Sequence, residues 1–196
     1  MSGRSILSLG VLALSLIGRP LAAQDSLYFG AQATVARPLG SLAGTDWMDG
    51  QSGAGAGVHV LLGLTPGQAL MPRLDYTHFS KSESGVARTV RLYQLGADYD
   101  WSLFDDVESG PYLGLGLGLE SGRFELSGQG YSASSTSTAG YLDGVAGLMV
   151  TAHVGAELRF IWSRFDPDLT AFAPRGYTGK LNLNAPTLNA SLIFRL

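Results

Sequence analysis

The final ten residues, Thr187 to Leu196, alternate polar and apolar side chains. Leu188, Ala190, Leu192, Phe194 and Leu196 share one face, and Thr187, Asn189, Ser191 and Arg195 share the other. A period of two belongs to a strand, because successive side chains leave a pleated backbone on opposite sides. The apolar face of such a strand has to be covered, either by a core or by lipid. This requirement constrains the whole chain, because the same alternation recurs along it.

About eight segments carry the pattern. The first, Leu27 to Ala36, sets Leu27, Phe29, Ala31, Ala33 and Val35 against Tyr28, Gly30, Gln32 and Thr34. The second, Ala54 to Leu64, and the third, Ala69 to Phe79, are joined by a tight turn at Thr65, Pro66 and Gly67. A fourth places Tyr93, Leu95, Ala97, Tyr99 and Trp101 opposite Gln94, Gly96, Asp98 and Asp100. The fifth sets Leu113, Leu115, Leu117 and Leu119 against Gly114, Gly116 and Gly118. The sixth, Tyr141 to Val150, has apolar residues in both phases; the seventh opposes Val154, Ala156, Leu158, Phe160 and Trp162 to Gly155, Glu157, Arg159 and Ser163. Glycine on the inner face of a narrow barrel leaves room for larger neighbours to cross the lumen.

The connections alternate long and short. Long polar loops are expected through Pro38 to Gly53, Ser80 to Thr89, Ser121 to Ala139 and Asp166 to Pro186; short turns are expected at Pro66–Gly67, around Asp105 to Gly110 and at Ala152–His153. All long loops then project from one end. Aromatic residues gather toward both ends, with Phe29, Trp101, Tyr112 and Phe194 at the turn end and Tyr76, Phe79, Tyr93, Trp162 and Phe165 near the loop end, as interfacial girdles would.

The N-terminus agrees. Arg4 precedes an apolar run from Ile6 to Ile17, and Gly18, Arg19 and Pro20 break it before Leu21, Ala22 and Ala23. This is the layout of a secretory signal cleaved after Ala23, which leaves 24–196 as one barrel domain. Removing it takes two arginines from the 13 Lys+Arg, so 11 remain against 16 Asp+Glu, a net charge of −5. Such a chain is a poor partner for nucleic acid, whose phosphates need clustered cations. There is no cysteine to oxidise outside the cytoplasm.

Alternation alone does not say whether the apolar face points outward to lipid or inward to the core of a soluble barrel that binds a small apolar ligand. Charges at mid-strand positions, Arg73, Asp75, Asp98, Glu157, Arg159 and Arg195, lie on the polar face. On a lipid face each would cost roughly 2–4 kcal/mol near the midplane, so in a membrane they must all face the lumen. The final strand and the loop asymmetry favour the membrane.

On this pattern, its length and its termini, the chain resembles the small eight-stranded outer-membrane β-barrels, the class of the OmpA transmembrane domain and OmpX. The resemblance implies an all-β, antiparallel up-and-down transmembrane barrel, with long loops extracellular and short turns periplasmic. It implies a monomer without enzymatic activity, with a structural or surface-interaction role. Its partners would be outer-membrane lipid, lipopolysaccharide and the barrel assembly machinery, which reads a C-terminal signal at Leu192, Phe194 and Leu196. The family ends most often in Phe; here Leu196 is last and Phe194 precedes it by two.

Two readings of the six charges follow, a gate or ion path and a structural plug. An eight-stranded interior is just large enough to be filled by side chains, which favours the plug. His78 and Ser80 have a His-x-Ser spacing similar to that of the outer-membrane lipid A deacylases, and a strand puts both on one face, where imidazole would activate a hydroxyl. Lys81 and Val90 stand where that family has an Asn and an acid. His59 is expected to face the lumen as a polar filler and His153 to sit in a turn. Metal-ligand spacings and phosphate-binding loops are absent, so no cofactor is expected.

Overall fold

The computed structural model describes residues 27–44, 47–104, 109–128, 130–168 and 183–196. The leader expected through Ala23 lies outside them, as does most of the last long loop. Among the described residues eight long strands form a ring: β1 (Leu27–Pro38), β2 (Gly53–Thr65), β3 (Gln68–Glu83), β4 (Val86–Ser102), β5 (Gly110–Gly128), β6 (Tyr131–Met149), β7 (Val154–Phe165) and, after a two-residue strand β8 (Leu183–Asn184), the closing strand β9 (Thr187–Arg195). All pairings are antiparallel. β9 closes the ring by pairing with β7 on one side, with Leu158 opposite Ala190, and with β1 on the other, with Ala33 opposite Leu192. Closure satisfies the backbone within the wall, which is what a sheet needs in order to stand in lipid.

The alternation resolves into an apolar outside and a polar inside. Leu95, Leu115, Leu117 and Leu119 are 61–65% exposed on the outer wall, whereas Asp98 is 0% and Arg159 1% exposed within. A soluble barrel would have the two faces reversed, so the reading as a soluble carrier of apolar ligands fails. Strand six joins the pattern with Tyr141, Asp143, Val145 and Met149 buried and Leu142 and Leu148 outside.

Two of the expected loops are strands. β3 runs to Glu83 and β4 starts at Val86, and the turn between them places Ser84 and Gly85 at φ 51° and 76°. Positive φ at both central residues of a two-residue turn matches the right-handed twist of a hairpin, so the chain reverses there without a loop. Likewise Ser121 to Ala139 is a ladder, with Ser121 opposite Thr138 and Glu125 opposite Ser134, turning near Gly130. Ser, Thr and Gly look like loop chemistry, yet here they form a strand whose outer face is exposed at Ser132, Ser134, Thr136 and Thr138, while the inner face of the same sheet buries Phe124 and Leu126 and packs Ala133 and Ala139 against them.

These hairpins outlast their neighbours. β2 last meets β3 at Ala54 and His78, and β6 meets β7 only from Tyr141 onward. Above those pairs the upper parts of β3, β4, β5 and β6 continue as a four-stranded sheet, whose inner face packs through Phe79, Val90, Phe124 and Leu126 on Leu42, Trp47 and Met48 of the loop after β1. The 19 residues of β5 span about 60 Å at about 3.3 Å each. Crossing the hydrocarbon takes only about ten residues.

The loop after β1 also departs from expectation. It forms a 3-10 helix η1 (Gly40–Ala43) and then drops Trp47 and Met48 into the barrel mouth beside Leu42. Three of the aromatics read as girdle residues face inward as well: Phe79, Phe165 and Tyr112 are buried. Phe29, Trp101 and Phe194 at the turn end, and Tyr76, Tyr93 and Trp162 toward the other, are the ones that face out.

Candidate functional site

The barrel interior is where the sequence-predicted charges meet. From β3, Arg73 directs its Nε to Asp75 Oδ2 at 2.9 Å and its Nη1 to Asp98 Oδ2 at 2.7 Å and Glu157 Oε1 at 3.1 Å. From β7 on the far wall, Arg159 donates from Nη1 to the same Asp75 oxygen at 2.9 Å and from Nη2 to Asp98 Oδ1 at 3.4 Å and to Asp143 Oδ2. Asp75 and Asp98 are thus each shared by two guanidinium groups. Tyr141 contributes its hydroxyl to Arg159 Nη2 at 3.2 Å and its ring at 5.4 Å, and Tyr112 donates to Glu157 Oε2 at 3.0 Å. His59 lies inside as expected and meets Gln32 Oε1 through Nδ1 at 2.6 Å, while Gln32 donates to Asp75.

Five of the six predicted residues therefore form one network. Arg195 is buried nearer the turn end, opposite Gly30, where its charge interacts with Tyr112, Asp100 and Glu157, and its carbonyl oxygen is 3.1 Å from His153 Nδ1. Three buried acids were missed. Asp143 hides in the strand whose two phases are both apolar; Asp100 and Glu120 lie on the inward phase, Glu120 directly continuing the glycine row Gly114, Gly116, Gly118. Parity within that row was the signal that would have found Glu120.

The glycine row exists because carboxylates occupy the space above it. A Cβ at Gly116 would run into Asp98 and Asp143, one at Gly114 into Asp100, and one at Gly118 into the Tyr141 ring. Gly116→Val is expected to destabilise the barrel by about 1–3 kcal/mol through overpacking, read as a lower urea midpoint in lipid vesicles. A midpoint equal to that of the unsubstituted chain would mean that the interior is looser than these contacts require.

Apolar layers bound the charged layer at both ends. Toward the hairpins, Leu42, Trp47, Met48, Phe79, Val90, Leu92, Phe124 and Phe165 cluster inside the mouth, with Phe124 set edge-on to Trp47 at 5.4 Å and to Phe165 at 5.6 Å. Toward the turns, Tyr112, Val145, Met149 and Ile193 form one cluster and Leu61, Ala69 and Met71 another. Nothing in the inward-facing sequence pattern announces these layers, because each inward apolar residue reads as a break in the alternation.

His78 and Ser80 lie elsewhere, on the outer wall of β3. Across the β3–β4 ladder His78 faces Arg91 and Ser80 faces Thr89, and among the described residues no hydrogen bond joins the pair or brings a carboxylate to the imidazole. The carboxylate that would orient an imidazole for nucleophilic work is not at hand. No cluster of potential metal ligands is found among the described residues. Leu192 and Phe194 face outward and Leu196 ends the chain exposed.

No protein-family model matches the chain, and no curated protein sequence does. Solved structures do match. Ail, the attachment invasion locus protein of Yersinia pestis, superposes with a TM-score of 0.59 at 12% identity, over 87% of this chain and 97% of Ail. The fold is that of the small eight-stranded outer-membrane β-barrels. The N-terminal β-barrel domain of Pseudomonas aeruginosa OprF agrees, with a TM-score of 0.56 at 12% identity over 86% of this chain and 97% of that domain. Neisserial surface protein A (NspA) gives a TM-score of 0.52 at 20% identity over 87% and 96%. A small outer-membrane barrel needs its apolar wall in lipid and its mid-wall charges inside, which is how Leu95, Leu115 and Leu117 on the one hand and Arg73 and Arg159 on the other are disposed.

Proposed function

We propose that this protein is a closed, monomeric outer-membrane barrel that carries a protruding sheet to the cell exterior, with a structural or surface-interaction role and no catalytic one. The observation that carries this is the filling of the interior: a layer of shared ion pairs lies between two apolar layers, so the lumen acts as a plug and the function moves to the surface. In this reading residues 1–23 are the removed signal, and the assembly machinery reads the closing strand through Leu192, Phe194 and Leu196. Lipid and lipopolysaccharide surround the wall. That two of the similar structures are by name an attachment protein and a surface protein agrees with it.

The sheet offers a chemically plain binding edge. Between Tyr131 and Gly140, β6 is Ser, Thr, Ala and Gly without charge or proline, and no described strand pairs with its outer side. Asp166 N already donates to Ser137 Oγ on this edge at 3.2 Å, and a strand edge of such composition accepts further backbone.

Conductance tests the plug. Purified protein in planar bilayers should show no steady current, and large, stable porin-like steps would reject it. Orientation is tested separately by epitope insertion. A tag at Gly130 should bind antibody on intact cells and one at Gly67 should not; the opposite labelling would invert the molecule.

A further inference from the structure

One sector of the outer wall carries cations where the wall should be turning neutral. His78 on β3, Arg91 on β4 and Arg123 on β5 are direct cross-strand neighbours in a single row, flanked by Ala54 and Thr136. All three are on the lipid-facing phase. Arg91 and Arg123 put like charges directly opposite each other across a ladder, which is destabilising, so the row needs anions. The chain supplies one carboxylate for two guanidinium groups: Glu125 Oε1 lies 3.0 Å from Arg91 Nη1 and 2.7 Å from Arg123 Nε. The side chains of Arg91 and Arg123 remain 32% and 51% exposed, so both have donors free to reach outward.

The height of the row is set by its neighbours. One step down the same ladder, Tyr76 and Tyr93 pair on the outer face with ring centroids 5.1 Å apart. Tyrosine rings sit at the level of lipid headgroups. The cations stand two residues further from the hydrocarbon, about 7 Å along the strand. That is the level at which a headgroup phosphate lies, and a guanidinium fork matches phosphate oxygens in geometry as well as charge.

We propose that His78, Arg91 and Arg123 form a docking site for the phosphate of a membrane lipid headgroup, which supplies the anion the row lacks. The site rests on the membrane reading above, and the proposed orientation puts it in the outer leaflet, against phosphorylated lipid A.

The test uses the refolded chain in neutral detergent micelles, with bound lipid counted by native mass spectrometry during a titration with bisphosphorylated lipid A. Saturable binding is expected. Arg91→Gln with Arg123→Gln should raise the half-saturating concentration roughly tenfold or more. Glu125→Gln, which removes the competing carboxylate, should lower it. Arg37→Gln, on the outward phase of β1 away from the row, should leave it unchanged. Dephosphorylated lipid A should show no saturable binding, and inorganic phosphate should displace the lipid only in large excess. Equal binding of the dephosphorylated lipid, an unaffected double variant, or displacement by equimolar phosphate would each overturn the proposal. Each variant's heat-modifiable gel shift reports whether the barrel has folded, so loss of binding with that shift intact separates this site from the membrane reading.

Discussion

Replacing Arg159 with Met is expected to cost the barrel about 3–5 kcal/mol. The guanidinium is in contact with Asp75, Asp98 and Asp143 at once, and Arg73, whose partners are Asp75, Asp98 and Glu157, does not reach Asp143. Methionine fills much of the volume but leaves Asp143 with no cation and two more carboxylates with one where they had two. Urea unfolding of vesicle-inserted protein measures the loss. A second variant, Arg159→Met with Asp143→Leu, should recover part of it, since removing a stranded charge relieves the penalty that breaking the pair created. If Arg159→Met alone unfolds at the urea midpoint of the unsubstituted chain, the network contributes nothing to stability and the plug must be held by its apolar layers.

Leu117→Arg is the complementary test, applied to the outer wall. Leu117 is 65% exposed between Ala97 and Leu142, level with the lumen charges, and an arginine at the bilayer midplane costs about 2–4 kcal/mol. The expected outcome is a fall in the folded, heat-modifiable form recovered from outer-membrane fractions. Ser134→Arg, on the protruding sheet opposite Glu125, should assemble normally. Equal recovery of both would mean that this part of β5 does not meet lipid. The same logic applies to the closing strand. Leu192→Asp is unfavourable because it puts a charge on the outer wall, and Ser191→Asp is unfavourable for a different reason: Ser191 is buried, faces Glu157 and is 2.8 Å from the hydroxyl of Thr34.

The wall was legible in the sequence because lipid imposes a strict rule on every second residue. Leu113 to Leu119 and Leu188 to Leu196 obey it, and the charges on the other phase had only one place to go. The upper sheet was not legible, because the small polar run Ser132 to Thr138 satisfies strand and loop alike, and its inner face is covered by a loop, at Trp47 and Met48, that no local pattern places there. The interior was legible in part. Arg73, Asp75, Asp98, Glu157 and Arg159 stood on a clean polar phase, whereas Asp143 sat between Tyr141 and Val145, where parity alone could not pick the inner face. Long-range closure was beyond periodicity altogether: nothing local in Trp47 or Met48 says that a loop will turn back into the barrel it leaves.

Asp75 and Asp98 come from neighbouring strands on one side of the ring, and Arg159 and Asp143 from neighbouring strands on the other, so the shared ion pairs span a diameter. Mechanically they are spokes. A hollow tube of eight strands deforms easily toward an ellipse when the surrounding membrane thins, thickens or crowds it, because bending a sheet breaks no hydrogen bond. Spokes convert that soft deformation into the separation of opposite charges at low dielectric, which is stiff. The outline of the barrel therefore stays round under lateral load.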